Sequence, residues 1–240
     1  MNCNNCQNSI TKNAFFCGKC GAKKEDSKST FDYNIHIKKI ALLFILLVTY
    51  IVSIHIFKIS ISKTNTIFID IIFSLIVLLF SFYDRKTLKR VIQKPKIKIK
   101  TVLFILVLTP ISAFIVHQFA DLLNESLFHP QKIQTSNHQT FSLLNFLISI
   151  LSIAIFPAIF EELAFRGVIF NELSKITSLK ITIIISSILF TILHFSLISI
   201  IWIFPIGIIL GYLRAKYRTI WYGILTHFVY NSCIIILGEI

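Results

Sequence analysis

Six side chains in the second half of the chain could do chemistry: Glu161, Glu162, Arg166, His194, His227 and Asn231, all set within or at the ends of long apolar stretches. Ionisable groups in such stretches are costly to bury, so each is a functional hypothesis by default. Glu162 and Arg166 are four residues apart with the acid N-terminal, the better orientation for a helical ion pair. His227 and Asn231 are also four apart and project from one helix face. A carboxylate beside an imidazole can activate water as a general base. A second imidazole with an amide can donate hydrogen bonds to an oxyanion. This assigns Glu161 and His194 to water activation and His227 and Asn231 to oxyanion stabilisation. Glu162 and Arg166 become the supporting pair that leaves Glu161 free. The chain has no His-Glu-x-x-His zinc motif and no Gly-x-Ser-x-Gly elbow, so neither a zincin nor a serine hydrolase is indicated.

The elements that must position these groups are membrane helices. Hydrophobic residues make up 55% of the 240, charged residues only 15%, and the mean hydropathy is +0.77. A soluble domain uses ~25% charged residues to cover its surface, so lipid must solvate much of this chain. Apolar runs suggest spans at roughly 35–57, 66–83, 101–120, 142–173, 181–196, 197–213 and 219–237. Residues 181–213 would make one helix of ~50 Å, too long for a single crossing, so a turn is expected at Ser196 to Ser199.

The net charge of +13 fits this arrangement better than it fits nucleic-acid binding, and no nucleic-acid partner is expected. With seven spans, all but four of the Lys and Arg residues fall on one side. Lys58, Lys63 and Lys132 fall on the other, and Arg166 lies within a span. The positive-inside rule then predicts a multi-pass protein of the cell membrane with a cytosolic N-terminus. The basic segment 84–100 reads as a topology determinant, or alternatively as a surface helix for anionic headgroups. Residues 121–141 read as an outside loop. Depth along the helices also agrees. Glu161 before Ser174, His194 after Lys180, and Asn231 beyond Arg218 each lie ~20 Å from the cytosolic turn.

The ordered set Glu-Glu-x-x-x-Arg at 161–166, Phe-x-x-x-His at 190–194 and His-x-x-x-Asn at 227–231 resembles the three motifs of the type II CAAX-prenyl-protease and bacteriocin-processing family, also called CPBP or Abi. The resemblance implies an intramembrane endopeptidase acting on a membrane protein or peptide, with those residues in the roles above. The domain so implied spans 35–240, with its motif core at 142–237. No catalytic metal is expected, and a metal at the Glu/His site stays open as the alternative. A different class also stays open: a non-proteolytic immunity or partner-binding protein, or a proton-coupled carrier using Glu161, His194 and His227 as a relay.

A separate module precedes the spans. Cys3-x2-Cys6 and Cys17-x2-Cys20 have the spacing of two metal knuckles that complete a tetrahedral four-cysteine site. Residues 1–34 are too few for a sufficient core, so a structural Zn2+ would supply much of their folding energy. Iron in a rubredoxin-like site is the other contender. The stretch Phe15-Phe16-Cys17-Gly18-Lys19-Cys20-Gly21 resembles bacterial zinc ribbons, and a cytosolic protein partner could bind there. Cys233 reads as packing. Asp70, His55 and His117, taken singly, read as helix-bridging hydrogen-bonding groups. The fold expected overall is all-α and polytopic, about seven transmembrane helices with a small N-terminal ribbon.

Overall fold

The computed structural model describes residues 2–3, 5–8, 20, 33–57, 63–83, 88–89, 91–93, 95–128 and 142–239. The chain divides into two units, Met1–Tyr33 and Asn34–Ile240. The larger unit is a helical bundle: α1 Tyr33–Ile56, α2 Lys63–Tyr83, α3 Ile99–Phe128, α4 Leu143–Ile176, α5 Leu179–Ile192, α6 Ile200–Tyr217 and α7 Trp221–Glu239. Among the described residues six of these are long and apolar enough to cross a membrane, and α5 is shorter. The chain is therefore a multi-pass membrane protein, and the mostly exposed aliphatic surfaces of α1, α2 and α3 are what hydrocarbon would cover.

Three boundaries differ from those the sequence suggests. Helix α3 runs to Phe128, well into the expected loop, because no Gly or Pro interrupts residues 121–128. Of the basic segment the described residues are helical at 88–89 and 91 and without helix at 92–93 and 95–98, so it does not run as helix into α3; residues 84–87, 90 and 94 lie outside the described set. Helix α5 stops at Ile192 rather than near Ser196. The amides of His194 and Phe195 tighten onto the carbonyls of Thr191 and Ile192, and Phe195 adopts φ 48°. The reversal is completed where the Ser196 hydroxyl donates to Ser199 Oγ at 2.7 Å and accepts the Ser199 amide at 3.3 Å.

Helix α4 carries the architecture of the centre. Two stretches, Ile150–Ile155 and Leu163–Ile169, are π-helical and bracket the two glutamates. Each widens the turn to i→i+5 bonding, a distortion that recurs at functional sites. Around it, α7 packs against α3, α4 and α6, while α5 packs on α6. The α5–α6 contact is close because of Gly207 and Gly211, four residues apart, which meet Ser187 and Ile183. Small residues at this spacing let membrane helices approach by their backbones. A Cβ at Gly207 would stand 3.1 Å from Ser187 Cβ and 3.3 Å from its Cα.

Gly207→Ala should therefore lower stability by about 1–3 kcal/mol, the usual cost of overpacking. Thermal melting of the detergent-solubilised full chain checks this. A change of the same size at Gly238, where a Cβ meets nothing within 4 Å, should be absent.

Candidate active site

The site begins with a buried ion pair. Arg166 Nη1 donates to Glu162 Oε1 at 2.8 Å, and both side chains are fully buried. A second guanidinium nitrogen, Nη2, donates to the carbonyl of Gly207 at 3.0 Å, and the Phe190 ring lies 4.4 Å beneath the guanidinium carbon. Arg214 Nε donates to the backbone carbonyl of Arg166 at 3.0 Å, so α6 holds both ends of this turn of α4.

Neighbouring residues of a helix point about 100° apart, so Glu161 leaves this packed face while Glu162 occupies it. Glu161 opens onto a cavity of about 600 Å3, together with His194, His227 and Asn231. The four candidate catalytic residues thus share one cavity. Glu161 Oε2 is buried and has no hydrogen-bond partner. His227 stands between the two carboxylates: its Nδ1 is 3.6 Å from Glu162 Oε1 and its Nε2 is 3.9 Å from Glu161 Oε2. These are ion-pair separations rather than hydrogen bonds.

His194 sits just beyond α5, in the turn, and its ring packs edge-on against Phe190 at 4.8 Å. Its Nδ1 is 2.9 Å from the Phe190 carbonyl. A carbonyl only accepts, so Nδ1 carries the hydrogen and the neutral ring keeps its Nε2 lone pair. Asn231 Nδ2 donates to the Ile153 carbonyl in the first π-helical stretch at 2.7 Å. An amide nitrogen has two N–H groups, so one anchors the side chain to α4 and the second remains.

Four residues outside the assigned set also contribute. His117 and Asp121, paired at 2.8 Å on α3, and Tyr230 on α7 line the same cavity. Asp70 on α2 lines a smaller cavity of about 140 Å3 that Glu161 and Pro157 also line. Sequence reading assigns Asp70 and His117 only general helix-bridging roles, because nothing in their spacing ties them to the three motifs. Gly223 is a further omission. A Cβ built there would lie 2.4 Å from Glu162 Oε2 and 3.3 Å from its Cδ. Only glycine lets α7 pass over the buried carboxylate.

In the N-terminal unit, Cys3, Cys6 and Cys20 bring their sulfurs within 4.8 Å of one another, and Cys3 and Cys20 are 3.6 Å apart. That separation is far beyond a disulfide bond of ~2.0 Å. It is close to the ~3.8 Å between two sulfurs on a tetrahedral zinc with ~2.3 Å bonds. The Gln7 amide donates to the Cys3 carbonyl at 2.9 Å and Gln7 takes φ 60°, so the first pair forms a tight knuckle. These three thiols are close enough to hold a metal ion; Cys17 lies outside the described residues.

Gly223→Ala should displace the Glu162 carboxylate and cost as much as breaking the pair. Glu162→Gln, which leaves Arg166 buried without a counter-charge, should cost about 3–5 kcal/mol. Both variants should lose thermal stability, whereas Asn231→Ala should melt near the wild-type temperature.

Residues 143–233 match the family model described as type II CAAX prenyl endopeptidase Rce1-like. No curated protein and no solved structure matches the chain. The matched segment includes Glu161, Glu162, Arg166, His194, His227 and Asn231, so all six lie in the stretch of the chain that is similar to the Rce1-like type II CAAX prenyl endopeptidase family, a match consistent with the CPBP or Abi family.

Proposed function

We propose that the protein is an intramembrane endopeptidase that cleaves a peptide bond of a membrane protein or peptide with water activated by Glu161 and His194. The observation that carries the reading is the contrast between two adjacent carboxylates. Glu162 is locked by Arg166, while Glu161 faces the cavity with a partnerless oxygen beside two imidazoles. A water held by Glu161 can pass its proton to the carboxylate as it attacks the scissile carbonyl, and the same proton then goes to the departing amine as the adduct collapses and the C–N bond breaks. His194, its Nδ1 committed to Phe190, offers Nε2 to the same water. The developing oxyanion is met by His227 and by the free N–H of Asn231, groups held in place before the reaction starts. Glu162, facing His227 Nδ1, orients the ring so that Nε2 turns to the cavity.

Glu161→Gln should abolish cleavage and leave the fold intact, because glutamine keeps the shape and loses the base. Asn231→Ala should slow turnover by about 100-fold or more, with substrate binding largely kept. Asn231→Asp should be no better than alanine, whereas a proton relay would favour aspartate, which titrates. The check is comparison of membranes carrying wild-type or variant protein for an uncleaved precursor. Full activity in a well-folded Glu161→Gln protein would falsify the assignment.

The lopsided distribution of Lys and Arg supports a cell-membrane orientation with the N-terminal unit in the cytosol. There the cysteines would stay reduced, and Cys3, Cys6, Cys17 and Cys20 would hold one structural zinc ion, a unit suited to binding a cytosolic protein. Elemental analysis of the purified full chain should find one zinc per protein and a loss of it in Cys3→Ser. Cleavage should survive that loss in part, since Glu161, His194, His227 and Asn231 all lie between α4 and α7.

A further inference from the structure

A second and larger cavity, about 710 Å3, runs along the outer surface between α3, α6 and α7. Its walls are aliphatic and aromatic, among them Phe104, Leu108, Ile111 and Ile209, and its lining includes no carboxylate. Along α3 it extends from Lys100 to Ile115, ~23 Å of helix. That exceeds the ~15 Å of hydrocarbon in one leaflet of a ~30 Å core. One end is basic. Lys100 and Lys216 line it, and both are exposed. Lys216 Nζ lies 5.4 Å from the Tyr212 ring and 5.5 Å from the Tyr217 ring, with Lys98 Nζ 5.5 Å from Tyr217.

These lysines are held together by design of the backbone around them. The Lys98 amide donates to the Tyr222 hydroxyl at 3.0 Å, and that hydroxyl donates to the Lys96 carbonyl at 3.2 Å. Thr101 Oγ1 and the Tyr217 hydroxyl are 2.9 Å apart. Further upstream, Trp221 Nε1 donates to the Ile92 carbonyl at 2.9 Å, and Thr219 Oγ1 to the Gln93 carbonyl at 3.1 Å. The α6–α7 turn therefore pins the entry to α3 and brings Lys98 and Lys100 beside Lys216. None of the three forms an ion pair with a carboxylate among the described residues. Three like charges gathered at one end of the groove, with no carboxylate paired to them among the described residues, favour an anion, and the apolar groove beneath them favours one with a hydrocarbon tail.

We propose that this groove binds an anionic phospholipid, with its phosphate between Lys100 and Lys216 and one acyl chain laid along α3 toward Ile115. Lys98 adds to the field at the headgroup, and Tyr212 and Tyr217 seat it at the level where tyrosines meet the membrane interface. Tyr230 borders both this groove and the polar cavity, so the lipid would form part of the outer wall of the site.

The test uses the full chain in nanodiscs of mixed phosphatidylglycerol and phosphatidylcholine, released for native mass spectrometry. Wild-type protein should retain phosphatidylglycerol in preference to phosphatidylcholine. The preference should fall about fivefold per lysine removed in Lys100→Gln and Lys216→Gln, the worth of one basic residue at an anionic surface. Lys216→Arg should keep it. Ile209→Trp, at an exposed groove position, should displace both lipids without touching the charges. Equal retention of the two lipids by the wild type would overturn the proposal. So would a phosphatidylglycerol preference that survives Ile209→Trp, since the lysines would then be acting as a diffuse surface charge.

Discussion

Everything in the site leans on the buried contact between Glu162 and Arg166. Two charges taken out of water cost several kcal/mol each, and their attraction offsets this only when further hydrogen bonds complete the pair. Here the completion comes from other helices. Gly207 of α6 gives its carbonyl to Arg166, Phe190 of α5 gives its ring face, and Arg214 of α6 binds the Arg166 carbonyl. The pair therefore fixes where α5 and α6 stand relative to α4. It also dictates composition elsewhere: Gly207 must be small for α6 to lie on Ser187, and Gly223 must be glycine for α7 to cross the carboxylate.

That constraint explains the division of labour between two chemically identical neighbours. A helix turns each residue about 100° from the last, so a packed Glu162 leaves Glu161 pointing elsewhere. The π-helical stretches before and after the pair spend extra residues in the turn and change which faces align above and below it. Ile153, in the first stretch, presents the carbonyl that anchors Asn231. The same distortion thus supports the amide on α7 and flanks the acid on α4. A regular helix would not offer both from one short segment.

The bundle was legible because it follows from terms the sequence states directly: apolar runs of spanning length, basic connectors, and polar groups at matched depth. The end of α5 was misjudged by about four residues because periodicity does not register a reversal made by Phe195 in a left-handed conformation and two serine hydroxyls. The cavity neighbours Asp70, His117, Asp121 and Tyr230 were not legible as part of the site. They belong to helices whose rotation depends on packing, and one residue of rotation moves a side chain by 100°. Gly223 was hidden for a related reason: its requirement comes from a carboxylate on another helix, and no local pattern records that approach.

The shortness of α5 has a chemical consequence. Fourteen residues rise ~21 Å, less than the ~30 Å of a hydrocarbon core, and the chain then reverses at 193–199. Non-helical backbone at that depth is tolerated only where it is buried in protein or lines a water-filled cavity. The reversal at 193–199 is anchored by the buried Leu193, while Phe195 and Leu197 are exposed and His194 opens onto the polar cavity. Its backbone is satisfied in part within the turn, the His194 and Phe195 amides donating to Thr191 and Ile192 and the Ser199 amide to Ser196 Oγ. The turn after α5 is therefore the element that brings His194 to the cavity it shares with Glu161, His227 and Asn231.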